Sequence, residues 1–376
     1  MCKTRHILLV VSSLSAGGAE RIISEMANWW VIHNQRVTVL TLSGTDQDHY
    51  QLNPKVERST LDLWGRARTP WQIIDKRIRR IIKLRKAILK SRPDLVISFM
   101  DLTNVRTLVA LIGTKIPVII SERTDPRYNP ISRFWSLARR LFYPFSAALV
   151  VQTQSVAGWA QRVVPACKTS VIPNFVRTMP SCKISDREKS MILSVGRLGI
   201  EKGHDLLIRA FAAAEGAQKG WDMTILGEGN ERLNLERLIS GLGLTASVHL
   251  PGIVKEPAEW MQKTSLFVLT SRYEGFPNAL LEAMACGCAV IATDCPSAPA
   301  EIINNDINGL LVPAEDVTAL SNAMQKIIDD ESLRQRLGVQ ALKVKTTFSQ
   351  ETIMAKWDAL IENISKKGET TDERCK

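Results

Sequence analysis

Two hydrophobic periods take turns along this chain. Short unbroken apolar runs at 6–12, 37–42, 95–99, 118–121 and 147–151 have the length and continuity of strands covered on both faces. Between them apolar residues recur every three or four positions, as in 20–31, where Ile22, Ile23, Met26 and Trp30 share one side of a predicted helix. The repeating order of strand, turn, helix and strand predicts a parallel sheet with helices on its faces. The pattern pauses near Pro173-Asn174, and the polar stretch 180–190 reads as a linker. A second alternation follows: strand 191–195, helix 205–214, strand 223–226, helix 231–242, strand 247–250, strand 266–270, a helix ending near Gly287 and strand 289–292. One more helix is predicted over 350–364. The expectation is an α/β protein of two doubly wound domains, 1–180 and 181–349, with no internal repeat.

Composition fits this division. A chain of 376 residues, 45% of them apolar, is too long for one ordinary core and long enough for two. No apolar run is long enough to predict a membrane-spanning helix, and the first residues lack a signal peptide's layout. Seven cysteines, odd in number and scattered, suggest reduced thiols in a cytoplasm. Cys286-Gly287-Cys288 with Cys295 matches no common zinc spacing. Asp46-Gln47-Asp48 is a short acidic pattern that arises readily by chance. Neither is read as a metal site, and no metal or other cofactor is expected.

Net charge is +11, and its placement changes the picture. From Arg66 to Arg92 there are eleven Lys or Arg residues against Asp75 alone. Within 71–90 the isoleucines 74, 78, 81, 82 and 88 fall on one side, while Lys76, Arg80, Lys83 and Lys90 recur on another, giving a basic amphipathic helix packed by its isoleucines. Residues 133–143 interleave arginines with Phe134, Trp135, Phe142 and Tyr143, as an interfacial segment does. No helix-turn-helix, zinc-finger or RNA-recognition signature accompanies these charges, so an anionic membrane surface rather than nucleic acid is the expected partner.

The densest chemistry lies in 271–294, Ser-Arg-Tyr-Glu-Gly-Phe-Pro-Asn-Ala-Leu-Leu-Glu and onward. Glu274 and Gly275-Phe276 form a loop ahead of a helix, where free backbone N–H groups collect. Pro277 is expected in that helix's first turn, and Asn278 and Glu282 share a face at i,i+4 spacing. After the strand at 191–195 comes Gly196-Arg197-Leu198 with Glu201-Lys202-Gly203. A planar arginine fork and a lysine point charge in a glycine-bearing turn suit a diphosphate, each charge-assisted bond supplying about 1.5–3 kcal/mol. Gly227-Glu228-Gly229 lacks the third glycine of a dinucleotide fingerprint, which disfavours hydride chemistry. Gly17 and Gly18, after the first strand, either let an anion approach a helix N-terminus or simply make a tight turn. The stretches 98–104 and 121–126 are read as loops at strand ends, offering Asp101 for an acceptor hydroxyl and Arg123 for a phosphate or sugar.

The run from Glu274 to Glu282 followed by Ala285-Cys286-Gly287-Cys288-Ala289-Val290-Ile291-Ala292-Thr293-Asp294 resembles the donor motif of retaining GT-B glycosyltransferases, in the large family that includes glycogen, capsule and O-antigen sugar transferases. The resemblance covers nearly the whole chain and is strongest over 191–313. Departures are Ala289, where the family usually has proline, Arg123, where many relatives carry histidine, and Ala298, where glycine is frequent. It implies two Rossmann-like domains facing a cleft, with the C-terminal helix 350–376 crossing back to the first. It also implies that Arg197 and Lys202 hold the donor diphosphate, that the Gly227 turn borders the base, and that Gly17 and Gly18 border the transferred sugar. Glu282 is then the expected ribose ligand and Glu274 the partner of the sugar hydroxyls. Gly196, Gly275, Phe276, Pro277 and Asn278 complete the donor set; Lys76, Arg80, Lys83, Asp101 and Arg123 form the acceptor set.

The chain looks most like bacterial enzymes that extend polyprenyl-diphosphate-linked glycans, N-acetylgalactosaminyltransferases among them. The expected function is retaining transfer of a hexose or N-acetylhexosamine from a nucleotide-diphosphate sugar, UDP-linked, to such an acceptor at the cytoplasmic face of the inner membrane. A soluble transferase for a sugar or small metabolite, and a nonenzymatic anion-binding protein, are the competing readings.

Overall fold

The computed structural model describes residues 4–15, 17–46, 48–62, 70–177 and 190–373, with the backbone alone at 70–77 and 367–373. Most of the stretch read as a linker, and Arg66 and Arg68 of the basic run, lie outside the described residues. The chain divides into two compact units, Met1–Pro173 with Met354–Lys376, and Asn174–Ile353.

The first unit holds seven strands: β1 (His6–Val11), β2 (Arg36–Thr41), β3 (Glu57–Thr60), β4 (Leu95–Phe99), β5 (Val118–Ser121), β6 (Ala148–Val151) and β7 (Thr169–Val171). Their order is β3-β2-β1-β4-β5-β6-β7, every pairing parallel. Every residue of β1 is buried, which is why its sequence runs apolar without alternation. The edge strands escape the apolar pattern. β3, Glu-Arg-Ser-Thr, is half exposed and held through Thr38↔Glu57 pairing and an Arg36–Glu57 ion pair of 2.8 Å.

The helix Gly18–Ile32 buries Ile22, Ile23, Met26 and Trp30 as its spacing predicts. The basic helix is Pro70–Ser91, and its packing differs from the expectation. Ile88 and Leu84 are buried and Ile81 packs beside them, while Ile78 and Ile82 stand in solvent. A helix on a sheet surface buries a stripe, and the five isoleucines spread wider than that stripe. From Met354 the helix Gln350–Glu373 belongs to the first unit. Trp357 is fully buried edge-on to Trp30, ring centroids 6.4 Å apart, and the Trp30 indole N–H donates to Asp358 at 2.8 Å.

The second unit holds β8 (Met191–Val195), β9 (Asp222–Leu226), β10 (Val248–Gly252), β11 (Leu266–Leu269), β12 (Ala289–Asp294) and β13 (Leu310–Pro313), ordered β10-β9-β8-β11-β12-β13 and all parallel. Asn174 and Val176 are tied into this unit by Asn174 Nδ2 donating to Asn278 Oδ1 at 2.8 Å and by the Val176 N–H donating to the Phe348 carbonyl at 2.8 Å. In each sheet the strand order reverses beside the first strand, β1 with β4 and β8 with β11. In open α/β sheets such a switch point opens a crevice at the carboxyl ends of the strands, where ligands bind.

Candidate active site

At the switch point of the second unit, two turns from neighbouring strands converge. The turn after β8 carries Gly196 and Arg197 and passes through a short 3-10 segment, Ile200–Lys202, into the helix His204–Ala213. Two glycines here are dictated by backbone contact. Gly203 sits at φ +62°, and a Cβ on it would stand 2.1 Å from the Thr270 carbonyl oxygen; Gly227, after β9, sits at φ +143° with the Gly196 carbonyl at 2.0 Å from the same position. Both backbones therefore close on their neighbours. The stem of Lys202 lies along Gly196, its Cδ 3.3 Å from where a Cβ would be.

The turn after β11 supplies Glu274, buried, whose Oε1 accepts from Lys202 Nζ and from Ser271 Oγ, each at 2.6 Å. The structure thus brings Lys202 and Glu274 together across 72 residues of sequence. Arg197 is 73% exposed and pairs with Glu201, Nε to Oε1 at 3.0 Å. Burial pushes the Glu201 carboxyl up, but the Arg197 hydrogen bond, its own backbone and the charges of Arg197 and Lys202 outweigh this, leaving it below its ordinary range.

The helix expected to begin with Pro277 runs Asn278–Ala285, and Pro277 is its cap, φ −82°, with a carbonyl that accepts from Leu281 N–H at 3.2 Å. Glu282 on this helix is buried, as are Phe276 and Pro277, while Gly275 and Asn278 are half-buried. Ser297, in the loop after β12, holds φ +103°, a conformation rare outside glycine.

His204 escaped the sequence reading. It is buried beside this turn, and its pKa falls to about 4, through burial first and the Lys202 charge second. Neither ring nitrogen has a hydrogen bond of good geometry, although the nearby backbone of Gly196 and Arg197 pulls the pKa part of the way back. Its position directly after Gly203, where the 3-10 segment meets the helix, was the available signal.

In the first unit the candidates are distributed differently. Asp101 is the first residue of the helix Asp101–Ala110 rather than part of a loop: Met100 turns at φ +73°, and Asp101 Oδ1 accepts from the Leu102 N–H at 2.6 Å. Arg123 does not open to solvent. Its guanidinium lies 4.9 Å from the Phe99 ring centroid and 6.0 Å from that of Trp357, and burial lowers its pKa to about 9. Aromatic faces from β4 and the C-terminal helix draw it inward.

At Gly17 the space a Cβ would take is occupied by the Glu20 carboxylate, Oε2 at 2.2 Å, so an acidic side chain already covers that turn. Gly18 begins the helix behind it. Lys83 is exposed and Arg80 half-buried on the basic helix; Lys76 lies on it with its side chain outside the described residues. Asp48 is engaged by Arg58 in a two-bond pair at 2.9 Å.

One cluster was missed by the sequence reading altogether. Glu122, fully buried at the end of β5, accepts from the Tyr143 hydroxyl at 2.5 Å and faces Arg139 at 3.4 Å, which in turn stands 3.6 Å from Asp101. Desolvation pushes the Glu122 pKa up to about 7 against the pull of Arg139 and Tyr143. Its partners come from different elements, and no local pattern joins them.

Two parallel-sheet Rossmann-like units, the second with a lysine–glutamate pair at its switch point, define a GT-B protein. Family models agree: "Glycosyl transferases group 1" matches residues 181–344 and "Glycosyltransferase Family 4" matches 16–179. The two matches adjoin and together span most of the chain, which is a glycosyltransferase of the GT-B fold with the group 1 match confined to its second half.

Among its relatives is a Campylobacter jejuni alpha-1,4-N-acetyl-D-galactosaminyltransferase acting on GalNAc-alpha-(1->4)-GalNAc-alpha-(1->3)-diNAcBac-PP-undecaprenol, 28% identical over 95% of this chain and 98% of that protein. The amylovoran biosynthesis glycosyltransferase AmsD of Erwinia amylovora is 25% identical over 94% of this chain and 99% of its own. The fold is that of sucrose-phosphate synthase from Thermosynechococcus elongatus, TM-score 0.83 at 19% identity over 96% of this chain and 99% of that one. Anabaena HepE, solved with UDP and glucose, gives 0.78 at 19% identity over 96% and 100%.

Proposed function

We propose that this glycosyltransferase moves a hexose or N-acetylhexosamine, N-acetylgalactosamine being the first candidate, from a UDP-linked donor to a polyprenyl-diphosphate-linked glycan in bacterial surface-polysaccharide or glycoprotein-glycan assembly. The observation that carries the donor half is the Lys202–Glu274 pair at 2.6 Å, beside Arg197, at the carboxyl ends of β8 and β11. Lys202 and Arg197, turning from their carboxylate partners Glu274 and Glu201 to the donor, neutralise charge that grows on a departing diphosphate, and such stabilisation is the main catalytic device of the reading. Glu274 then addresses sugar hydroxyls and Glu282 the ribose. With no side chain read as a covalent nucleophile, the acceptor hydroxyl attacks on the face the diphosphate leaves, and configuration is retained. Relatives that use undecaprenol-linked acceptors support the acceptor class.

The membrane half rests on the first unit's surface. Among the described residues no helix is long and apolar enough to cross a membrane. The helix Arg133–Phe142, however, leaves Phe134, Leu137 and Leu141 exposed at three- and four-residue spacing, with Phe145 one turn on, each 57–74% exposed. With Ile78 and Ile82 among the basic residues of Pro70–Ser91, this is a surface for lying on anionic lipid at the cytoplasmic face.

The decisive assay supplies purified protein with UDP-sugars and a polyprenyl-diphosphate-linked acceptor, with and without chelator. Product with the same anomeric configuration as the donor, formed in both conditions, is the expected outcome. Transfer to free sugars with indifference to the lipid would replace the acceptor assignment, and absence of both transfer and donor hydrolysis would end the enzymatic one. Arg197→Ala and Lys202→Ala should each reduce turnover, by roughly a hundredfold for a lost charge-stabilising donor, with the fold retained in both; near-normal rates in both would remove their role.

A further inference from the structure

Lysine is a point charge on a flexible stem, so where Lys202 points depends on what fixes its backbone. That backbone is the short 3-10 segment Ile200–Lys202, and both of its ends are fastened to the turn that carries Glu274. At the far end, Thr270 Oγ1 donates to the Lys202 carbonyl at 3.0 Å, and Gly203 closes against Thr270. At the near end a single residue, Arg272, does the fastening. Its backbone N–H donates to the Glu201 carbonyl at 2.8 Å, and its Nη1 donates to the Ile200 carbonyl at 2.6 Å. The same guanidinium forks onto Asp205 in the following helix, Nη1 to Oδ1 and Nη2 to Oδ2, both 2.9 Å, while Nε donates to Glu315 at 2.9 Å. Glu315 reaches it from a backbone at φ +63°.

We propose that Arg272 is a positioning residue for sugar transfer: it holds the turn of Lys202 against the turn of Glu274, so that the ammonium meets the donor's diphosphate at a fixed place. Arg272 is no phosphate ligand itself, because two carboxylates and one carbonyl already engage its guanidinium. Only arginine fits the task, since a guanidinium can fork onto one carboxylate while reaching a carbonyl and a second carboxylate, and an ammonium cannot. Asp205 serves as the anchor. Burial pushes its carboxyl up, yet the hydrogen bonds and charge of Arg272 hold it below its ordinary value, so the fork stays ionic.

The inference rests on the reading of Lys202 as a diphosphate ligand, and the test separates the two. UDP affinity by calorimetry and donor turnover are measured for Arg272→Met, Arg272→Lys, Asp205→Asn, Lys202→Ala and the double variant Arg272→Met/Lys202→Ala. Arg272→Met should weaken UDP binding about tenfold, the loss expected for one misplaced charge-assisted bond. Arg272→Lys should recover little of it. In the Lys202→Ala background Arg272→Met should add no further loss, a dependence that general destabilisation would not produce.

Should Arg272→Met fail to fold, Asp205→Asn, which leaves Arg272 in place but weakens its anchor, must show the same non-additive loss. Weakened UDP binding in Lys202→Ala with unchanged binding in Arg272→Met, or losses that simply add, would overturn the positioning role alone. Unchanged binding in Lys202→Ala would take the diphosphate reading down with it.

Discussion

Glu122 and His204 are buried ionisable groups whose neutral forms the fold prefers, and they push stability in opposite directions with pH. The folded His204 pKa, about 4, lies below the ordinary value of 6.5, so the unfolded chain binds the extra proton and stability falls as pH drops through that window. The folded Glu122 pKa, about 7, lies above 4.5. Between those values the folded state binds the extra proton, and stability is lost as pH rises. Glu122→Gln keeps an acceptor for Tyr143 and removes the titration. Its unfolding free energy relative to wild type should improve between about pH 4.5 and 7, by on the order of 3 kcal/mol, in urea titrations at several pH values; a pH-independent difference would show that the carboxyl is ionised at no cost. The individual residues of the donor turn were readable because Gly196, Arg197, Lys202, Glu274 and Glu282 sit at fixed offsets from strand ends. What Lys202 touches was not, since its partner lies on another strand's loop. Arg123 shows the limit best: its place at a strand end suggested an open loop, while Phe99 and Trp357, far apart in sequence, enclose it.

Elements whose apolar run is unbroken were legible, and those defined by a neighbour were not. β4 and β5 appear in the sequence with the same ends they have in the fold. β3 and β7 are short and partly exposed, and exist because β2 and β6 offer unpaired edges. The helix Arg133–Phe142 is legible in composition but not in orientation. Its arginines and aromatics are visible in the sequence, yet only packing shows that Ala138 and Arg139 turn inward, with Trp135 and Phe142 against the core, and that Phe134, Leu137 and Leu141 turn outward. Replacing Phe134, Leu137 and Leu141 with serine together should leave the melting temperature unchanged and weaken binding to vesicles of anionic phospholipid, with a loss that persists at high salt. Substituting Arg80 and Lys83 with glutamine should give a loss that salt abolishes. Vesicle sedimentation across a salt series checks both, and unchanged partitioning of the serine variant would remove the apolar stripe from the membrane reading.

At the scale of the whole molecule, the sequence alternation was enough to expect two parallel sheets, while the order of strands within each is a property of the fold. Membership of the first unit was harder to read, because it is built from two separated pieces of chain. Trp357→Ala should cost about 3–5 kcal/mol, as a fully buried large aromatic does. The effect should be regional: hydrogen exchange should speed up in β1, β2 and β4 while β8, β11 and β12 keep their protection. Uniform loss in both units would mean that they unfold as one. The docking of Trp357 against Trp30 also has a consequence for synthesis. On the ribosome the seven strands of the first sheet emerge early, but the aromatic side chain that seals Trp30 and Phe99 arrives only after the entire second unit has been translated. At about 5–20 residues per second the nascent protein therefore spends many seconds with its oldest part begun and its newest part finished first, and a chaperone that shields bare indole surface would find its substrate there.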